Sequence, residues 1–187
     1  MIKRVLLAGL LGGAAMFLAS VITHLVLPLG EVGIQSLPND EAVISVLRDN
    51  IRECGLYFFP GMATHPTPEQ QKQWEARYRA GPTGILIFHP RGSEPMNPLQ
   101  LLTELASNLL LAFVVAWLLS RATLAGFGVR LLFVALIGLV VGLAIPVSYW
   151  NWFGFPGAYT LAEMANEVIG FSAAGLVIAG LVKPSAP

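Results

Sequence analysis

Four long apolar stretches dominate this chain of 187 residues. They run from about Val5 to Leu27, Leu99 to Leu119, Val129 to Tyr149 and Leu161 to Val182. Each is close to the ~20 residues that a helix needs to cross a bilayer. Charged residues make up only 12% of the chain and hydrophobic residues 55%, whereas a soluble domain carries about 25% charged residues. The sequence therefore predicts an all-α transmembrane bundle of four helices in a lipid bilayer.

The charges of the chain exclude other classes of protein and predict its orientation. Lys+Arg and Asp+Glu number 11 each, so no basic excess is left for a nucleic-acid partner, and the apolar content is too high for a disordered tail. The short segments at one end of the four stretches hold cations without acids: Lys3, Arg4, Arg121, Arg130 and Lys183. Cytoplasmic loops carry such an excess. We therefore expect a bacterial inner-membrane protein with both termini in the cytoplasm.

The division into segments follows from this topology. Residues 1–28 form the first span, residues 29–98 a periplasmic insertion, and residues 99–187 the other three spans. The insertion carries eight acids and six cations, as expected outside the positive face. The first stretch could instead be a cleaved signal peptide. Because its apolar run continues to Leu27 without a small-x-small cleavage site, an uncleaved anchor is favoured.

The insertion has the pattern of a small α/β cap. Asn39 is predicted to cap an amphipathic helix, and the aromatic run 56–59 is predicted to form a strand. Thr67, with Pro68 and Gln70 behind it, predicts a capping box and a helix that stops at Gly81. A second strand over 84–88 follows, and the direction in which the two strands pair stays open.

The only cysteine lies in this insertion. With Cys54 alone, no disulfide can form within the chain. An unpaired structural thiol is the favoured interpretation. Cys54, His65 and His89 could meet as soft metal ligands, but their spacings match no metal motif.

Six of the polar side chains within the apolar stretches form the candidate site. All lie near the outer ends of their helices: His24, Glu104, Asn108, Glu163, Asn166 and Glu167. Glu104 and Asn108, like Glu163 and Glu167, are four residues apart and share a helix face. Ionisable groups inside a membrane usually face other helices and mark function. We therefore expect a polar vestibule beneath the cap.

The chemistry of this vestibule has three possible interpretations. The groups could bind a divalent metal through His24, Glu104, Glu163 and Glu167, since imidazole and carboxylates suit Mn, Fe or Zn. They could hold a proton between neighbouring carboxylates, or a small substrate. They could also be structural, pairing one helix with another. The catalytic residues, if any, stay unknown, and haem is not expected because the spans contain only one histidine.

Small residues and aromatic residues predict how the spans pack. Small-xxx-small faces permit close helix contacts in the bundle, or in a homo-oligomer or larger membrane complex. These faces are Gly9/Gly13, Gly138/Gly142 and Gly170/Ala174. Pro146 is expected to kink the third span. The aromatic residues from Tyr149 to Tyr159 predict an interfacial belt in the following outer loop, with a ligand platform as the alternative.

Three segments resemble uncharacterised small bacterial inner-membrane proteins with four spans: His24–Glu31, Gly55–Gly61 and Ala80–Gly84. The resemblance covers most of the chain and implies no activity. No P-loop, dinucleotide fingerprint, HExxH or GxSxG motif is present. We expect a non-enzymatic envelope protein or accessory subunit whose outer cap and vestibule contact a partner, a lipid or a small ligand. The alternative is a membrane-embedded enzyme, or a metal or proton site, built on His24, Glu104, Glu163 and Glu167.

Overall fold

A computed structural model describes residues 1–183 of the chain. The chain divides into two compact units, one formed by Met1–Ile34 together with the chain from Pro95 onward, the other by Gln35–Glu94. The helices of the first unit are α1 (Ile2–Leu25), α4 (Pro98–Arg121), α5 (Phe127–Ala144), α6 (Pro146–Phe153) and α7 (Gly157–Leu181), and a single 3-10 turn (Leu29–Glu31) follows α1. The second unit contains α2 (Asp40–Asn50), β1 (Gly55–Phe59), α3 (Pro68–Ala80) and β2 (Gly84–Phe88).

Four helical segments are long and apolar enough to cross a membrane. They are α1, α4, α7 and the stretch Phe127–Phe153, which joins α5 and α6. Large apolar side chains remain exposed along them, among them Leu110, Trp117, Leu132 and Val140. Such surface is stable only against lipid or another protein. The chain is therefore a multi-pass membrane protein, as the hydropathy of the sequence predicts.

The third span is broken at Pro146, where the sequence predicts a kink. Helix α5 ends at Ala144 and α6 begins at Pro146, since proline has no N–H to continue the ladder and its ring crowds the preceding turn. The placement of the aromatic belt in a loop was wrong: Tyr149, Trp150, Trp152 and Phe153 lie on α6. Only Gly154–Pro156 separate that helix from α7.

The spans pack with α1 and α7 in the middle. Helix α1 contacts α4 and α7 extensively, and α7 also packs along α5, whereas α4 makes few contacts with either α5 or α7. The buried core follows this order and is built largely from small residues and a few large side chains: Ala8, Ala112, Ala116, Val134, Phe171, Ala174 and Ile178. Small residues let helices approach closely without a large hydrophobic driving force.

Each predicted small-residue face packs within the chain. A Cβ on Gly13 would lie 2.6 Å from the Cα of Leu109 on α4, and one on Gly138 would lie 2.7 Å from the Cβ of Phe171 on α7. Gly170 approaches the side chain of Met16 on α1. The faces therefore hold the helices of one chain together. A homo-oligomer or larger complex, which stays a prediction, would need another surface.

The second unit contains the predicted order of helix, strand, helix and strand. The strands pair antiparallel, with Tyr57 opposite Leu86. Helix α3 begins with the predicted capping box of Thr67 and Gln70, and the indole N–H of Trp74 donates to the carbonyl of Pro60 at 2.8 Å. The prediction for Asn39 was wrong in its mechanism: the residue precedes α2, but its left-handed backbone leaves its side chain without a capping hydrogen bond.

Candidate functional site

All six polar residues predicted for the vestibule line one cavity of about 570 Å³ in the first unit. His24 comes from α1, Glu104 and Asn108 from α4, and Glu163, Asn166 and Glu167 from α7. The remaining lining is mainly apolar and includes Met16, Phe17, Val21, Leu25 and Leu101. The volume lies within the range of about 300–1,000 Å³ that is usual for small-molecule sites.

The cavity exists because two helices share a neighbour but barely touch each other. Helices α4 and α7 both pack along α1, yet they make few contacts with one another. Their polar faces therefore line the space between them, with α1 as the third wall. The cavity lies at the end of the unit where α1 finishes and where α4 and α7 begin.

His24 is held by the last turn of α1 and by the segment that follows it. Its Nδ1 lies 2.9 Å from the carbonyl oxygen of Ser20 and 3.3 Å from the hydroxyl of Thr23. Since a carbonyl only accepts, Nδ1 carries the hydrogen, and Nε2 is an acceptor in the neutral ring. The backbone at Gly30 lies so close to the imidazole that a Cβ there would clash with it. The hydrogen bond to Ser20 and the close approach of Gly30 thus hold the imidazole of His24 at the cavity wall.

Helix α4 contributes one carboxylate and the amide that orients it. The Nδ2 of Asn108 donates to Oε1 of Glu104 at 3.0 Å, across one helical turn. Asn108 is buried and Glu104 is exposed. The pair therefore reaches from the interior of the unit to its surface, with the carboxylate at the outer end.

Helix α7 contributes a half-buried polar face. Glu163, Asn166 and Glu167 lie three and four residues apart, so they occupy neighbouring positions along one side of the helix. Both polar atoms of the Asn166 side chain are buried, and neither has a hydrogen-bond partner within residues 1–183. A buried amide without partners costs about 1–3 kcal/mol. The packing of the helices therefore leaves the hydrogen-bonding groups of Asn166 unsatisfied.

Among residues 1–183, no Lys or Arg forms an ion pair with these carboxylates. None of the described residues lining the cavity is Lys or Arg, and the ion pair found within residues 1–183 joins Arg79 to Glu75 in the other unit. Three carboxyl groups in a partly apolar wall therefore give the cavity a negative potential when they are ionised.

The metal set predicted from the sequence does not assemble in this arrangement. His24, Glu104, Glu163 and Glu167 all line the cavity. In the part of the chain that the structure describes, however, no three His, Cys, Asp or Glu side chains come close enough to hold a metal ion. The carboxylates come from two different helices, Glu104 from α4 and Glu163 and Glu167 from α7, and the cavity of about 570 Å³ that they line is much larger than an ion.

The second histidine and cysteine cluster is likewise incomplete. Cys54 Sγ lies 3.6 Å from Nδ1 of His89, beside the pair Gly55 and Phe88 that ends the ladder. His65 does not join them in a metal-binding group among residues 1–183. The thiol and imidazole form an exposed hydrogen-bonded pair.

Several lining residues escaped sequence reasoning. Ser20, Thr23 and Gln100 contribute neutral polar groups, and Met96 contributes an apolar one. Hydroxyl residues are common in membrane helices, so their presence alone carries little signal. Their spacing is more informative, because Ser20 precedes His24 by four residues and Gln100 precedes Glu104 by four. Each pair shares a helix face.

Comparison with protein families, with curated proteins and with solved structures found no match to this chain.

Proposed function

We propose that this multi-pass protein resides in a bacterial inner membrane and binds a small ligand in its polar cavity, as a non-enzymatic envelope protein or accessory subunit. In the proposed orientation both termini are cytoplasmic and residues 29–98 are periplasmic. The cavity then opens toward the periplasmic side of the bilayer.

One observation carries this proposal: the six polar side chains predicted for the vestibule line a single cavity of about 570 Å³. Polar groups that served only to join helices would be paired with one another across the interfaces and sealed. Here the one hydrogen bond between two of the six lies within a single helix, from Asn108 to Glu104, and Asn166 has no partner among the described residues. Groups arranged in this way remain available to a ligand.

The enzyme alternative finds less support in the same geometry. A hydrolytic or redox metal centre needs several ligands within reach of one ion, and no such set of three forms among residues 1–183. The hydroxyl of Thr23 lies 3.3 Å from Nδ1 of His24, but it is buried and donates its hydrogen to the carbonyl of Ser20 at 3.0 Å rather than to the imidazole. Binding is the function that the arrangement favours.

The test is whether the cavity admits water and solutes. Cys54 is the only cysteine, so Cys54→Ser provides a background in which single cysteines can be placed. We expect Ser20→Cys, on the cavity wall, to react with N-ethylmaleimide in membranes at least tenfold faster than Leu18→Cys. Leu18 lies two residues away on the same helix and is 60% exposed on its apolar surface, so lipid would cover it. Equal, slow reaction at both positions would mean a sealed polar core and would refute the proposed site.

The orientation has a separate test in the same background. A cysteine at Gln73, an exposed position of α3, should be labelled in intact spheroplasts by a thiol reagent that cannot cross the membrane. Labelling only after the inner membrane is broken would place residues 29–98 in the cytoplasm and reverse the proposed topology.

A further inference from the structure

The charges on the cavity walls differ from those of a site that binds a neutral or an anionic ligand. Three carboxylates line it, and none of its described lining residues carries a fixed positive charge. An anionic ligand would bring like charges together in a partly apolar space, which is costly. A positively charged ligand would be attracted by all three carboxylates. The charge of the walls therefore selects for a cation.

The size of the cavity selects for a cation of many atoms. A bare divalent ion needs ligands about 2.0–2.6 Å away on several sides. The carboxylates of this cavity do not gather in that way, since no three potential ligands form a metal-binding group in residues 1–183. They are distributed around about 570 Å³. An organic molecule can span such a space and contact separate walls.

The hydrogen-bonding groups select for N–H donors. Ionised carboxylates accept only, and Nδ1 of His24 is turned toward Ser20, which leaves Nε2 as an acceptor in the neutral ring. The amide of Asn166, whose polar atoms have no partner among the described residues, adds an acceptor oxygen near Glu163 and Glu167, together with one N–H₂ donor group. A protonated primary amine carries three donors and no acceptor, which complements this set.

The remaining lining selects for an apolar body. Met16, Phe17, Val21 and Leu101 form an aliphatic and aromatic surface next to the acidic groups. Apolar surface removed from water contributes about 25 cal/mol per Å², and an aromatic ring such as Phe17 also attracts a nearby cation. A ligand with a charged head and an apolar tail would use both kinds of wall.

We propose that the cavity between α1, α4 and α7 binds a primary alkylammonium group. The cationic head would lie among Glu163, Glu167 and Glu104, and the apolar tail along Met16 and Phe17. This inference rests on the proposed function, because it names the chemical class of ligand for the same cavity. A free amine and the ethanolamine headgroup of a lipid share this chemistry.

The experiment uses the full-length C54S/S20C protein in phosphatidylcholine nanodiscs at pH 7. The probe is octylammonium, which like lysine stays protonated at this pH. Octanol and octyl sulfate have the same tail with a neutral or anionic head. We expect octylammonium to slow the reaction of Ser20→Cys with N-ethylmaleimide at least tenfold, and the other two compounds to slow it less than twofold. C54S with Gln73→Cys, in the other unit, corrects for direct effects on the reagent.

Variants of the acidic wall test the assignment of the head group. Glu163→Gln with Glu167→Gln keeps the shape of both side chains and should raise the octylammonium concentration needed for half-protection at least tenfold. Glu53→Gln, which removes an acid outside the cavity, should leave it unchanged. A thermal-unfolding shift on adding octylammonium gives a second readout, since a ligand that binds only the folded state stabilises it. If protection survives the double substitution, the acidic wall does not bind the head group.

The outcomes separate this inference from the proposed function. If octanol or octyl sulfate protects as well as octylammonium, the cavity binds small molecules but the amine assignment is wrong. If none protects while Ser20→Cys stays reactive, the amine assignment is also wrong and the accessible cavity stands. Nanodiscs containing phosphatidylethanolamine identify the source: protection without added amine indicates a lipid headgroup, and protection by octylammonium alone indicates a free amine.

Discussion

Helix α7 meets its two outer neighbours in opposite ways. Toward α5 it packs closely, with Gly138 against Phe171 and Gly142 against Met164. Toward α4 it makes few contacts, and the acidic cavity occupies the space between the two helices. The polar groups of the two sides differ accordingly. Polar groups that complete a helix interface are paired and covered, and those that line a binding site keep unused hydrogen-bonding capacity.

Arg130, on the α5 side of α7, is a polar group that is paired and covered. It is only 7% exposed, and its Nε donates to the carbonyl of Ala179 near the end of α7 at 2.9 Å. A second donor, on one terminal nitrogen, lies 3.4 Å from the carbonyl of Leu124. A cation at a helix C-terminus also interacts favourably with the helix dipole. Arg130 therefore joins α5 to α7, whereas Asn166 and Glu167, which line the cavity on the α4 side of α7, have no such partners in the described chain.

The largest effect is expected from disrupting the packed side. A Cβ at Gly138 would lie 2.8 Å from the carbonyl oxygen of Glu167, so Gly138→Leu forces α5 away from α7. We expect the free energy of unfolding in mixed micelles to fall by about 3 kcal/mol. Gly128→Leu on the same helix is the control, because a Cβ there meets nothing within 4 Å. Equal losses for both variants would contradict the close α5–α7 interface.

A smaller loss is expected from removing the paired cation. Arg130→Met leaves the carbonyl of Ala179 without its donor and should lower the free energy of unfolding by about 2 kcal/mol. Arg121→Met is the matched control. Arg121 is exposed and lies 5.3 Å from the ring of Trp117, a contact worth about 0.5–1 kcal/mol at such sites. If both substitutions have the same effect, the buried position of Arg130 has no structural consequence.

On the side of α7 that faces the cavity, we expect a substitution to raise the free energy of unfolding rather than lower it. Asn166→Leu removes a buried amide that has no partner within residues 1–183, and should raise the free energy of unfolding by about 1 kcal/mol. Asn108→Leu should lower it, because Asn108 is buried and bonded to Glu104. Destabilisation by Asn166→Leu would indicate that this amide is a packing group, and the contrast between the two sides of α7 would disappear.

The smallest effect is expected for the carboxylates themselves. Like charges four residues apart on a helix repel each other by about 0.2–0.5 kcal/mol, so Glu167→Gln beside Glu163 should stabilise the protein by that amount. Unfolding in mixed micelles measures it, with Glu53→Gln as the control. A clear loss of stability instead would mean that Glu167 makes a structural interaction, and would weaken the assignment of the acidic wall to ligand binding.

Much of the fold could be predicted because its signals are local. Hydropathy over ~20 residues indicates a span, and the residues around Thr67 start α3 with a capping box as predicted. Proline at 146 breaks the third span for a reason contained in its own ring. The two wrong predictions also concern the local backbone conformation. Asn39 adopts a left-handed backbone that turns its side chain away from capping, and the aromatic residues after Pro146 form α6 rather than a loop.

One part of the candidate site could likewise be predicted from the sequence, and another part could not. The depth of His24, Glu104 and Glu167 follows from counting residues along each helix, and this count predicts one polar layer. Whether that layer is closed by pairing or surrounds a cavity depends on which helices touch. The neutral lining residues Ser20 and Gln100 could have been found from their spacing to His24 and Glu104, but only once those faces were known to point at the same space.

The sequence by itself determined that this protein has four segments long and apolar enough to cross a membrane, and that the histidine and the three carboxylates within them lie near one end of the helices. Free energies of transfer and helical periodicity act on each segment separately, so one chain suffices to deduce them. Only the tertiary structure decided that α1 and α7 lie in the middle and that α4 and α7 stand apart over a cavity. Close approach at Gly13 and Gly138 brings specific helices together, and such packing depends on pairs of faces that no single segment specifies.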